Sequence, residues 1–350
     1  MPKQALVVFN PVAKAGEESE RWLGKIAHEL FEQVDHVVTF FPTDPGKTPH
    51  DLIPLLAPPI DLVIAAGGDG TTGFALAALA EAGSPIPAGI IPLGTINVLA
   101  RNLGIVEESF FADPLADAFS AITSGSPMKI DLGMMNGHYF AVTAGTGPMS
   151  DAFVLPLRAE KSNFKLFAYA KAMIESIATP PIIFRITMDG RAFTVEASGV
   201  FVSNVEDLGL GRPTDIGRLS DGQLALNILN PKNFRDYVEI GFRFAGGYVD
   251  GNPPHYVRMI EEVLIEVLPV NGRASSLQIS GRKLKTMLTG QTPPSRQRRD
   301  IIAMIDGDKC GTTPMRVKVV PKAVNVLVPP KKWATAGKEA AAQRLPPDAA

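Results

Sequence analysis

Ile60-Asp-Leu-Val-Ile-Ala-Ala-Gly-Gly-Asp-Gly-Thr-Thr72 runs an apolar stretch straight into three glycines, one aspartate and two threonines, and a helix-forming run from Phe74 to Ala82 follows. The order predicts a buried strand, a tight glycine loop and a helix start. Glycines let main-chain N–H groups approach an anion, and a helix N-terminus adds a favourable dipole. Asp69 is out of place beside a phosphate unless a cation lies between them, so the chemical reading is a polyphosphate site with Mg²⁺. The plain alternative is a turn-rich strand-to-helix connection.

The flanking sequence repeats the alternation. Ala5–Phe9 reads as a strand, and Glu18–Val34 as a helix with Trp22, Ile26, Leu30 and Val34 on one stripe. Val37–Phe41, Asp61–Ala66 and Ala88–Ile91 are further short strands, and Val98–Leu103 is helical. Strands alternating with helices imply a parallel, doubly wound sheet, whose ligands sit beyond the C-terminal strand ends. Asn10, Thr43, Gly67–Thr72 and Gly94–Asn97 all follow predicted strands.

Near Ser126 the pattern changes. Met128–Met135 and His138–Thr143 flank Asn136-Gly137, a two-residue hairpin signal. After an amphipathic helix over Lys161–Ile177, strands are expected at Pro181–Met188, Phe193–Ser203, Gln223–Leu229, Glu262–Val267, Leu277–Ile279, Leu284–Leu288, Ile301–Ile305, Met315–Val320 and Val324–Val328. The expected organisation is therefore α/β over 1–127, a β-rich domain over 128–330 whose last strands return toward the first, and a disordered tail over 331–350.

The 350 residues are 45% hydrophobic and 20% charged, with a formal charge of −2, which gives no global drive toward nucleic acid. The single Cys310 excludes an intramolecular disulfide and a cysteine-rich zinc site, and points to a reducing cytosol. No apolar run approaches the ~18 residues of a membrane span. Between Asn271 and Arg299 lie seven Lys/Arg and no acid; Arg296, Arg298 and Arg299 read as a docking patch for anionic phospholipid or as a solvated loop.

Two more clusters carry carboxylates: Leu219-Ser-Asp221-Gly-Gln223 before a strand, and Ile305-Asp306-Gly-Asp308-Lys309 after one. Asp-Gly is also a common turn. Together with Asn10-Pro11, Gly67-Gly-Asp-Gly-Thr71, Pro92-Leu-Gly-Thr-Ile-Asn97-Val-Leu-Ala-Arg101-Asn-Leu-Gly-Ile105, Asp131-Leu-Gly and Lys165-Leu-Phe-Ala-Tyr169, they make the chain from Ala5 to about Val328 resemble the diacylglycerol-kinase-like lipid kinases.

That resemblance implies an NAD-kinase/phosphofructokinase-like N-terminal domain and a C-terminal β-rich sandwich, with the active site in the cleft between them. It implies transfer of the γ-phosphate of ATP to a hydroxyl of a membrane lipid, diacylglycerol or a relative, on the inner face of the membrane. The implied ATP contacts are Asn10, Pro11, Thr43, Gly67, Gly68, Asp69, Gly70, Thr71, Thr72, Thr95 and Asn97. The implied Mg²⁺ site is Asp221 with the carbonyls of Arg218 and Gln223. Asp308 holds the place of the general base, with Asp306 beside it and Asp69 in the catalytic set. The chain departs from the family in two places: Asp308 is one methylene shorter than the usual Glu, and Gly73-Phe74 replaces an Asn-Glu pair. Competing readings are a soluble nucleotide kinase such as NAD kinase, and a non-catalytic lipid- or nucleotide-binding relative. Homodimerisation and the identity of the acceptor lipid stay open.

Overall fold

The computed structural model describes residues 3–11, 18–94, 96–106, 114–148, 182–208, 216–245, 253–268 and 301–329. The expectations placed on the 161–177 helix, on the strands at 277–279 and 284–288, on Arg296, Arg298 and Arg299, on Thr95 and on the 331–350 tail lie outside these residues.

The chain divides into two compact units. Unit 1 is Met1–Leu132 with Pro213–Gly222 and Pro321–Ala350; unit 2 is Gly133–Arg212 with Gln223–Val320. The division thus falls after Leu132 rather than after residue 127, and the segment carrying Asp221 belongs to unit 1.

In unit 1, β1 (Lys3–Phe9) lies between β2 (His36–Pro42) and β3 (Ile60–Gly67), and β4 (Ala88–Pro92) pairs with β3, all in parallel. The last part of β16 (Met315–Val328) adds alongside β4. Ala5–Val8, Val63–Ala66 and Ile91 are fully buried, as expected of parallel strands covered on both faces. Neighbouring residues of β2 show the two coverings. Phe40 meets Phe9, which packs on Trp22 of α1 (Glu18–Val34), while Phe41 stacks on Phe74 of α2 (Asp69–Glu81). Consecutive strand residues point to opposite faces, so α1 and α2 lie on opposite sides of the sheet. The doubly wound expectation holds.

Unit 2 is antiparallel. One sheet runs β12 (His255–Ile260), β11 (Leu224–Leu229), β10 (Gly199–Ser203), β7 (Thr143–Thr146), β14 (Ile302–Ile305), β15 (Asp308–Thr312). A second layer contains β9 (Arg191–Ala197), β8 (Ile182–Met188), β13 (Glu262–Leu268) and the first part of β16. Phe184, Ile186, Ile265 and Val317 of this layer bury against Val200, Val202 and Leu226 of the other, a sandwich core. The hairpin of β5 (Ser126–Met135) with β6 (His138–Phe140) turns on Asn136-Gly137, both at positive φ. Gly133 is required there, because a Cβ would lie 2.0 Å from the Phe140 ring.

Several elements differ from the sequence reading. The run 193–203 is two strands broken at Ser198, whose N–H donates instead to the Leu229 carbonyl. Residues 315–328 form one strand, not two. Beyond α3 (Val98–Asn102) and α4 (Pro114–Ser124), a further helix, α5 (Phe234–Ala245), appears where no helix was assigned.

Candidate active site

The strands β1, β3 and β4 end level with one another: Phe9 pairs with Ala66, and Gly67 with Pro92. The loops that leave them therefore emerge side by side. Gly67 accepts the Leu93 N–H at 2.9 Å, tying the first glycine loop to the second. Gly68 caps α2, so the helix begins at Asp69 inside the motif and not at Phe74 as expected. Glycine is needed where the loops meet. A Cβ on Gly94 would lie 2.6 Å from the Gly68 Cα, and one on Gly67 would lie 2.5 Å from the Thr71 Oγ1. The amides of the first helical turn have no acceptor within their own helix and form the anion-binding end of its dipole.

Asp69 is buried, and its two carboxylate oxygens accept the N–H groups of Val98 and Leu99, each at 3.0 Å. The carboxylate of the first glycine loop thus caps α3, the helix that follows the second loop. Burial pushes its carboxyl above the usual range; the amides of Leu99, Val98 and Asp69 itself and the Arg101 charge pull the other way and offset only part of this.

Asn97 is likewise spent on structure. In the left-handed conformation (φ 51°), its Oδ1 accepts the Gly94 N–H at 3.0 Å and its Nδ2 donates to the Gly94 and Pro92 carbonyls at 2.8 and 3.3 Å. The Thr72 hydroxyl donates to the Gly68 carbonyl, and the Thr43 hydroxyl and N–H both donate to the Phe9 carbonyl. Thr71 is buried, whereas Gly70 and Pro11 are exposed and Asn10 is half-buried. The side chains of Thr43, Asp69, Thr72 and Asn97 therefore brace the loops.

The second candidate region lies at 216–222. Asp221 is exposed and pairs with Arg218 at 3.3 Å, and Gly222 sits at φ 75°. Sequence reasoning missed the role of Asp131. It is fully buried in β5 and accepts the Gly222 N–H and the Lys322 N–H, both at 2.7 Å. The available signal was a carboxylate in the apolar run Met-Lys-Ile-Asp-Leu-Gly-Met-Met, which must find donors once buried. No group of three or more His, Cys, Asp or Glu is gathered among the described residues. One carboxylate with main-chain carbonyls at Arg218 and Gln223 still matches Mg²⁺ in kind, since that ion commonly keeps several waters.

In unit 2, Asp306 and Gly307 have φ values of 43° and 91° and form the two-residue turn between β14 and β15, with Ile305 paired to Asp308. The Asp306 carboxylate accepts three N–H groups, from Ala141 at 2.7 Å, Val142 at 2.9 Å and Thr143 at 2.8 Å, and its own N–H donates to the Thr143 carbonyl. Asn204, also missed in the sequence, holds the same segment through the carbonyls of Ala141 and Val142. This is why the single strand expected over 138–143 breaks into β6 and β7. Asp308 is exposed on β15; burial, and after it the Asp308 charge, raises the Cys310 thiol. The two carboxylates of the motif thus differ: one is fully engaged by main chain, the other faces solvent.

A parallel sheet with paired glycine loops at its strand ends and, in the same chain, a β-sandwich unit define an NAD-kinase-like fold. Residues 4–135 match the diacylglycerol kinase catalytic domain. The chain is 29% identical over 241 residues to a diacylglycerol kinase of Bacillus subtilis, covering 68% of this chain and 77% of that one. It is 27% identical over 243 residues to a diacylglycerol kinase of Staphylococcus aureus, covering 69% and 75%. A crystal structure of a diacylglycerol kinase from Bacillus anthracis superposes with a TM-score of 0.65 over 94% of this chain and 98% of that one, at 19% identity. The similarity to diacylglycerol kinases thus covers the catalytic domain matched at residues 4–135 and the fold.

Proposed function

We propose that the protein transfers the γ-phosphate of ATP to a hydroxyl of a membrane lipid, diacylglycerol or a closely related acceptor. The observation that carries this reading is the clamp by Asp69, at the N-terminus of α2, of the helix that follows the second glycine loop. Phosphoryl transfer needs positioning and charge stabilisation more than covalent chemistry. The loop amides cradle the phosphates; Asp69 and Asn97 act as positioning residues behind them.

Asp308 accepts the proton of the acceptor hydroxyl, the role open to the solvent-facing carboxylate of the Asp-Gly-Asp turn, and Asp306 fixes that turn. Asp221, with the carbonyls of Arg218 and Gln223, would hold Mg²⁺, which supplies a local positive charge; Asp131 secures the turn from beneath. The lipid is met at a membrane surface, with Arg296, Arg298 and Arg299 as the basic contact. The test is transfer of labelled γ-phosphate from ATP to a total lipid extract, with products identified by mass. A labelled lipid supports the reading. No labelled lipid from protein that binds ATP rejects it.

A further inference from the structure

In unit 2 the strands β9 and β12 end their layers, pairing with β8 and β11 respectively. Residues directly opposite in an antiparallel pair share a face. Leu226 and Ile228 lie in the sandwich core and stand opposite Arg258 and Tyr256, so these two β12 side chains turn inward. Met188, Ile186 and Phe184, also in the core, stand opposite Arg191, Phe193 and Val195, so β9 turns these three inward. The space between the two strands is not filled. A cavity of about 360 Å³ lies there, floored by Met188, Leu226 and Ile228 and walled by Phe193, Val195 and Tyr256. Phe193 stays 38% exposed and Tyr256 39%, although both face the core side.

Charge gathers at one end of this cavity. Arg258 donates to Asp189 at 3.0 Å, in the turn between β8 and β9, and Arg191 follows at the start of β9 with no ion pair among the described residues. Two guanidinium groups and one carboxylate leave a single positive charge in excess. Inward charges on terminal strands also guard an open edge against strand addition. Guarding, however, requires no apolar cavity behind the charges. The cavity is remote from the Asp306-Gly-Asp308 turn, because β12 and β15 are opposite ends of their sheet, about 24 Å apart at ordinary strand spacing.

We propose that this cavity binds one fatty acid, at a site separate from that of phosphoryl transfer. Its volume lies near the lower end of the roughly 300–1,000 Å³ of small-molecule sites. That is room for one acyl chain, not for the two of a diacylglycerol. The charge selects the head group. A guanidinium binds a carboxylate through both oxygens, and one excess positive charge matches one carboxylate. A phosphate monoester carries about −1.5 to −2 and would stay partly uncompensated. The chain then lies on Met188, Leu226 and Ile228 between the two aromatic rings, with its carboxylate at Arg191 and Arg258.

The experiment is equilibrium dialysis of the full chain against labelled laurate, with dodecanol as the uncharged chain and lauryl phosphate as the more highly charged one. One laurate should bind per chain, with the other two weaker by about tenfold. Arg191→Glu, exposed on a terminal strand, should weaken laurate about tenfold and leave dodecanol unchanged. Val195→Trp fills the cavity and should remove laurate binding while the circular dichroism stays that of the parent. No laurate binding by the parent, dodecanol or lauryl phosphate binding as tightly as laurate, or undiminished laurate binding by Arg191→Glu or by folded Val195→Trp would each overturn the proposal. These readouts are independent of any kinase activity.

Discussion

Replacing Asp69 with alanine separates a bracing role from a catalytic one. The change deletes two hydrogen bonds of 3.0 Å and strands the N–H groups of Val98 and Leu99 in a site where Asp69 is only 5% exposed. Hydrogen bonds to a charged partner contribute about 1.5–3 kcal/mol each, partly offset here by the relief of burying a carboxylate, so the net loss should be about 3–5 kcal/mol. For a unit of this size, that lowers the unfolding midpoint by roughly 10 °C. Trp22, packed against Phe9 in unit 1, is the probe, in a Trp333→Phe background. Asp69→Asn keeps one acceptor and should lose about half as much.

Acidity gives the second handle. The folded carboxyl sits above its ordinary 3.8, so the folded chain binds this proton more tightly than the unfolded chain. Its contribution is complete below pH 3.8 and is lost as pH rises through the elevated value. The parent should therefore gain stability over Asp69→Asn as pH is lowered. An Asp69→Ala protein that melts with the parent, or a gap between parent and Asp69→Asn that shrinks on acidification, would refute the reasoning.

Other perturbations discriminate among the remaining roles. Gly94→Ala forces a methyl within 2.6 Å of the Gly68 Cα and should abolish ATP binding in equilibrium dialysis while the unit 2 core stays folded. Asp306→Ala leaves three amides without their acceptor and should destabilise the protein by about 3 kcal/mol in urea titration, with activity lost as a consequence. Asp308→Asn, on an exposed strand, should leave the urea midpoint unchanged and cut kcat by about 10²–10⁴-fold. Asp131→Asn should raise the Mg²⁺ concentration needed for half-maximal activity about 10–100-fold, because the turn bearing Asp221 loses its buried anchor.

The α/β half was legible because its strands are short apolar runs closed by glycine or proline, and α1 carries a clear apolar stripe. The helix α2 was placed too late because Asp69, Gly70 and the threonines read as loop chemistry, although a Gly cap and an acid in the first turn are also a helix start. In unit 2, breaks at Ser198 and at Ala141-Val142 were hidden. Each depends on a main-chain partner far away in sequence, Leu229 in one case and Asp306 with Asn204 in the other.

The candidate site shows the same limit. Motif residues were found, but what each does is set by what it touches. Asp69 and Asp306 are acids whose oxygens face backbone amides, and no local pattern distinguishes them from Asp308. Asp131 stood out within Asp131-Leu-Gly, but its hold on the Asp221 turn depends on the Gly222 and Lys322 amides, far away in sequence.

The most direct test of the lipid-kinase reading sets two acceptors against each other: diacylglycerol in mixed micelles and NAD in solution, each with labelled ATP and Mg²⁺, using parent protein and Asp308→Asn. The reading predicts labelled phosphatidic acid from the parent, little from Asp308→Asn, and no labelled NAD phosphate. Labelled NADP from the parent, or equal lipid turnover by both proteins, would contradict it.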